Sequence, residues 1–352
     1  MLCTLVWPAL VALVMALVCG GLMRRLAQRI GFLDRPGSEA HKQQALAVPY
    51  GGGVAVGLGL AAALIAAHFW FPPGPSQDAT PVEMWPIFAG AASLFVVGLI
   101  DDRRRLSART KLLCQALIAA CVVPFAHLGI DSLRHQPVLY YGLSWAWLVL
   151  VTNAYNLIDH ADGVCGTIAG ISAVGLALAA YLSLDPSQAL VFAALAGALA
   201  GFLLWNAPPA RLYLGDAGSL PVGFLIGAGT LGVTFWPSAE GGTPVAVLGP
   251  VLITALPLYD TATVTIKRLR SGAGIMTGDR NHVGHRLGRL GLSPRLSLIT
   301  LAALQVALAA GTIHLRHDNW QSAIIVIVQS AAILVAVIFL ETTRRQHPQV
   351  VK

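Results

Sequence analysis

Runs of about 20 apolar residues recur from one end of this chain to the other, each long enough to cross a hydrocarbon layer of about 30 Å. Of the 352 residues, 56% are hydrophobic and only 11% charged, roughly half the charge of a water-soluble domain. Backbone placed in lipid has to satisfy its own hydrogen bonds, which favours helices. The expected fold is therefore all-α, a polytopic integral membrane protein in one domain over residues 1–352. Bounded by polar residues, Pro and Gly, the runs predict eleven spans at 4–23, 52–71, 85–101, 113–129, 139–156, 166–183, 189–205, 218–235, 244–262, 297–313 and 321–341. The first, CTLVWPALVALVMALVCGGL, carries its basic flank, Arg24 and Arg25, behind it. That layout fits a retained helix rather than a cleaved signal peptide.

Charge tests the count. With the N-terminus outside and the C-terminus in the cytoplasm, the inner segments hold all but two of the 23 Lys and Arg residues; Arg134 and Arg316 are the exceptions. A miscounted span would scramble that division. The net charge of +7 then reads as topology plus a face for an anionic substrate, with no nucleic-acid module. The five cysteines lack any metal-ligand spacing and sit mostly in apolar segments, as small packing residues.

The polar motifs fall on the inner side of this count. VVGLIDD ends the third span on Asp101 and Asp102. Adjacent acids repel unless a cation offsets them. Arg103, Arg104 and Arg105 could do so in a structural ion-pair cluster, or a divalent metal could, through oxygen ligands shared with a phosphate. NAYNLIDHADG places Asn153, Asn156 and Asp159 three apart, on one helix face, with Asp162 in the Gly-rich exit. An N-cap series accounts for Asp162 or Thr167 but not for four oxygen-bearing side chains together. LGDAGS sets Asp216 before the eighth span, where loop amides suit phosphate and the acid its counter-ion; Asp216 or Ser219 could equally be an ordinary N-cap. GDRNHVGHRLGRLG gathers Arg280, His282, His285, Arg286 and Arg289, a pattern suited to clamping a diphosphate. A positive-inside loop explains the arginines but not the paired histidines, and zinc needs more ligands than this loop offers.

In this order, from GFLDRPG at 31–37 to HRLGRLGLS at 285–293, the motifs resemble the polyprenyl-phosphate N-acetylhexosamine-1-phosphate transferases of the bacterial inner membrane. The resemblance implies transfer of an N-acetylhexosamine-1-phosphate, above all GlcNAc-1-phosphate, from a UDP-sugar to undecaprenyl phosphate, giving the lipid diphospho-sugar and UMP in the first membrane step of a cell-envelope polysaccharide. It implies Mg²⁺, for which Mn²⁺ can stand in, on Asp216 with Asn156 as a second contact. Asp101, Asp102, Asp159, Asp162, His282 and His285 become the catalytic candidates. Lys42, Arg109, Lys111, Asn153, Asn206, Tyr213 and Arg280 become the substrate contacts, with Tyr213 near the nucleobase. The active site is then built from cytoplasmic loops 24–51, 101–112, 156–166, 206–217 and 263–296, and the oligomeric state stays open, a homodimer included.

Two departures stand out. The family's loop usually carries three histidines, HxHH or HHH, whereas this chain has Gly284 in HVGH. The missing HHH argues against a muramoyl-pentapeptide substrate, and a histidine at 284 is expected to be tolerated. Near the start, AHKQQ keeps Lys42 but has Gln44 where the family has His. Acids in membrane helices also mark transporters, so a transporter or flippase for an anionic solute is the alternative. A transporter would place polar groups near the midplane and show inverted repeats, whereas these acids gather at one surface and no internal repeat is seen.

Overall fold

The computed structural model describes residues 2–34, 47–70, 84–129, 133–233, 248–272, 274, 281–315 and 320–343. Lys42 and Arg280, both expected at the site, lie outside the described residues. The first half holds α1 (Leu2–Ile30), a ribbon of β1 (Leu33–Asp34) and β2 (Val48–Pro49), then α2 (Gly52–Trp70), α3 (Met84–Arg104), α4 (Ala108–Phe125) and α5 (Pro137–Ile158). The second holds α6 (Val164–Leu182), α7 (Pro186–Asn206), α8 (Asp216–Gly232), α9 (Leu248–Ile253), α10 (Ala255–Arg270), α11 (Val283–Arg289), α12 (Pro294–His314) and α13 (Trp320–Thr343). Strand β1 pairs antiparallel with β2, Leu33 opposite Pro49. The apolar pattern does not forecast strands of two residues, nor the short α11.

Among the described residues, seven helices are long and apolar enough to cross a membrane: α1, α2, α3, α4, α6, α7 and α12. Their packing divides lipid-facing from central helices. On α1, Val6, Leu10, Val14, Val18, Leu22 and Leu26 recur every fourth residue and are all exposed, while Ala12 and Ala16 are buried. Such an apolar stripe is costly in water and ordinary in lipid. Helices α6 and α7 bury most of their length instead, with Ala169, Leu176, Leu195 and Phe202 fully enclosed. Helix α1 packs on α7 and α2, α6 on α7, and both α3 and α5 on α8. The chain is an all-α membrane protein, with α7 and α8 central.

The expected span at 244–262 is divided. Helix α9 stops at Ile253, Thr254 breaks the path, and α10 restarts and runs on to Arg270. Pro257 explains the break: it has no N–H to give the carbonyl of Ile253 four residues earlier. That carbonyl instead accepts from Ser172 Oγ at 2.8 Å and Gln305 Nε2 at 2.6 Å, and Ser172 is hydrogen-bonded to the Tyr155 hydroxyl at 2.7 Å. An orphaned buried acceptor costs about 1–3 kcal/mol, so the side chains of α5, α6 and α12 gather at the break. Asp260, in the second turn of the restarted helix, is thereby carried to the site.

Candidate active site

Close packing of α3 on the start of α8 creates the first half of the site. A Cβ on Gly98 would run into the carbonyl of Asp216, so glycine is what lets the two helices meet here. One turn later α3 delivers Asp101 and Asp102. The Asp102 carboxylate accepts from the Asp216 amide at 2.8 Å and the Ala217 amide at 3.2 Å. It thus caps α8, whose own Gly215 offers no side chain. Asp101 accepts from the Leu106 amide at 2.6 Å. Arg105, in the left-handed region at φ 48°, turns the chain into α4, and Lys111 on that helix reaches back. Its Nζ lies 2.7 Å from Asp216 Oδ2 and 3.2 Å from Asp101 Oδ2. Lys111 thus supplies a cation to Asp101 and Asp216, where the sequence also allowed Arg103–Arg105 to offset the acids.

The cap makes a prediction. Losing a side-chain cap costs about 0.5–2 kcal/mol. Asp102→Ala is therefore expected to lower the melting temperature in detergent by about 1–3 °C, and Asp102→Asn, which keeps an acceptor oxygen, by less. Equal melting of parent and alanine variant would remove the capping role.

The motif at the end of α5 feeds two clusters. Asn153 and Asn156 share a face of α5, and the Asn156 amide donates to Ser219 Oγ at 3.0 Å, one turn along α8 from Asp216. Asp159 ends the helix; burial, together with the charges of Asp216, Asp102 and Asp162, holds its carboxyl well above the usual range. Asp162 accepts from the Ala210 amide at 2.8 Å, and burial raises its pKa too. Asn206 is buried with both amide ends spent on backbone, accepting from Gly163 N at 2.9 Å and donating to Leu212 O at 2.9 Å. Its contacts in this structure are those of a cross-link between the two loops. Tyr213 pairs with the ribbon: its amide donates to Pro49 O at 2.9 Å, and its ring lies 6.2 Å from that of Tyr50. Burial raises the Tyr213 and Tyr50 phenols above their usual range. Arg109 is exposed in the first turn of α4, two residues from Lys111 and so on a different face.

The second cluster joins α10, α11 and the turn after α5. Fully buried Asp260 holds His282 Nδ1 at 2.7 Å, the Val283 amide at 2.6 Å and Arg286 Nη1 at 3.5 Å. His160 stacks on His282 with centroids 4.6 Å apart at 19°, and lies 5.2 Å from His285. Burial lowers the His160 pKa to about 3. The expectation that histidine fits at 284 is corrected here: a Cβ on Gly284 would stand 2.8 Å from His160 Nε2, and that ring is stacked in place. The sequence reading did not single out His160, Asp260 or Tyr50. Asp260 was concealed at the end of an apolar run, but a lone acid there is itself a signal.

A polytopic helical protein with three carboxylates, a lysine and an imidazole cluster gathered at helix ends is built to handle a charged group at a membrane surface. Residues 84–234 match glycosyl transferase family 4. The chain is 34% identical to a Streptomyces coelicolor protein named as a glycosyltransferase, over 90% of this chain and 71% of that one. It is 29% identical to a Bacillus subtilis protein named as a probable undecaprenyl-phosphate N-acetylglucosaminyl 1-phosphate transferase, over 91% and 87% of the two chains. It is also 29% identical to the decaprenyl-phosphate N-acetylglucosaminephosphotransferase of Mycolicibacterium smegmatis, over 94% and 87%. The chain belongs to glycosyl transferase family 4, in the branch of the polyprenyl-phosphate N-acetylhexosamine-1-phosphate transferases. That membership speaks against the transporter alternative.

Proposed function

We propose that this protein transfers GlcNAc-1-phosphate from UDP-GlcNAc to undecaprenyl phosphate, opening the assembly of a cell-envelope polysaccharide. The observation that carries the reading is the Asp101–Asp102–Asp216 cluster, with ligand oxygens within 4.8 Å of one another and Lys111 among them. In the reaction a lipid phosphate oxygen attacks the phosphorus that bears the sugar. The bond from that phosphorus to the bridging oxygen breaks, and UMP leaves. Both partners are anions, so charge has to be offset before they can meet.

The three carboxylates fit a hard divalent cation that takes oxygen ligands, with Asp216 as the principal ligand and Asn156 near it through Ser219. When bound, Mg²⁺ would neutralise diphosphate oxygens and stabilise charge developing on phosphorus. Lys111, already amid the acids, is suited to a phosphate of either substrate. Asp101 and Asp102 position or deprotonate the lipid phosphate, and His282, oriented by Asp260, serves the diphosphate with His285 and Arg280. The protein is read as a single domain of eleven spans in the bacterial inner membrane, N-terminus outside and active site cytoplasmic; the basic residues gathered on one side support this.

The test is UMP release by purified protein with undecaprenyl phosphate and a panel of UDP-sugars, with and without chelator. Release with UDP-GlcNAc, lost on chelation and restored by Mg²⁺ or Mn²⁺, is expected. Absence of UMP with every UDP-sugar tried would end the reading.

A further inference from the structure

The histidine loop lacks a side chain at 284, and the space beside that position is not vacant. His160, from the turn after α5, occupies it. Its Nε2 accepts from the Gly284 amide at 3.2 Å, and a Cβ at 284 would stand 2.8 Å from that same nitrogen. Its ring lies against both loop histidines, near-parallel to His282 and tilted at 43° to His285. We propose that His160 supplies, from a different segment of the chain, the third imidazole that the loop lacks at Gly284, and that it is a positioning residue for the diphosphate-binding histidines. This rests on the transferase reading above.

Geometry separates positioning from other roles. Accepting a bond from the Gly284 amide places the His160 proton on Nδ1, so the ring stays neutral and is no cationic partner for phosphate. Chelation of a metal by His160, Asp260 and His282, whose ligand atoms lie within 4.8 Å, is disfavoured by the stacking. A metal lies near the plane of each imidazole it binds, and planes only 19° apart meet far beyond coordination distance. Orientation remains. Asp260 holds one nitrogen of His282, which still leaves the plane of that ring to be set. The stacked face of His160 sets it. The bond to Gly284 also ties the loop to the end of α5, where the preceding residue, Asp159, feels the charges of Asp216 and Asp102. Two adjacent residues thus join the imidazole cluster to the carboxylate cluster.

The arrangement requires that bulk at 284 and an imidazole at 160 exclude one another, which a swap can read. His160→Gly, Gly284→His and the double variant are made in the full chain and purified in detergent. Melting temperature, kcat and KM for the UDP-sugar, and the pH profile of kcat are measured. His160→Gly is expected to lower kcat/KM about tenfold and to shift the pH profile, because it removes one imidazole packed against both loop histidines. Gly284→His alone is expected to lower both melting temperature and kcat/KM. The double variant is expected to regain the parent's melting temperature, pH profile and kcat/KM to within about threefold, a non-additivity typical of groups sharing one space. Costs that simply accumulate in the double variant would overturn the proposal. So would restored melting with turnover and pH profile left as in His160→Gly, since His160 would then be packing alone. A parent that releases no UMP from any UDP-sugar sinks the transferase reading, and the positioning role with it. The melting cycle would still decide, independently, whether positions 160 and 284 share one space.

Discussion

Asparagine at position 216 is expected to lower turnover about 10²–10³-fold while leaving the fold nearly untouched. The amide side chain matches the carboxylate in shape. The backbone N–H of residue 216, which Asp102 accepts at 2.8 Å, is unchanged, so the start of α8 stays capped. What disappears is one negative charge, at the place where Lys111 Nζ lies 2.7 Å away and two further carboxylates converge. A divalent cation there loses its strongest ligand. The Mg²⁺ concentration for half-maximal rate should rise at least about tenfold, with a melting temperature within about 1 °C of the parent. The measurement is UMP release across a Mg²⁺ titration, with thermal melting in parallel. Turnover within threefold of the parent at low Mg²⁺ would take Asp216 out of the cation site. The comparison with Asp102 is informative, because that acid carries a structural load that Asp216 does not.

Much of this site was legible in the sequence because chemistry and helix ends coincide there. Asp101, Asp102, Asn156, Asp159 and Asp216 all stand at or next to the ends of apolar runs. Charges placed so can be satisfied only at the membrane surface, and the positive-inside division assigned that surface to one side. The helical nature of the runs was legible for the same reason. Partnerships were not. Lys111 and Asp216 are separated by 105 residues and His160 and Gly284 by 124; no local periodicity encodes which loop crosses which. Asp260 was hidden twice, once inside an apolar run and once by the break at Thr254, which depends on Ser172 and Gln305 being at hand for the Ile253 carbonyl. A proline in an apolar run warns of such a break but does not say which side chains will answer it. Gly284 shows the opposite error. Space that seems free in a motif was filled from elsewhere in the chain.

Methionine in place of Lys111 is expected to lower kcat/KM by about 10- to 150-fold, the loss of one charge-assisted contact to phosphate. It is also expected to make folding stability depend on the metal. In the parent, Lys111 is the counter-charge that lets Asp101 and Asp216 face one another, at 3.2 and 2.7 Å. Methionine keeps an unbranched apolar stem and removes only the ammonium. The three carboxylates then repel with no cation between them. Without divalent metal the variant should melt below the parent. Added Mg²⁺ binds only the folded cluster and stabilises it by RT ln(1 + [Mg²⁺]/Kd), about 2.7 kcal/mol at a hundredfold excess over Kd. No lysine competes for the same oxygens, so Mg²⁺ should raise the melting temperature of Lys111→Met more than that of the parent. The two effects run in opposite directions: the variant answers to the metal more strongly and turns over less. A lysine whose only function was to neutralise the acids would be replaced by Mg²⁺ in both respects, and activity would return along with stability. A variant that Mg²⁺ stabilises but does not reactivate therefore assigns Lys111 to the substrate phosphate. Recovery of full activity at high Mg²⁺ would assign it to the acids alone.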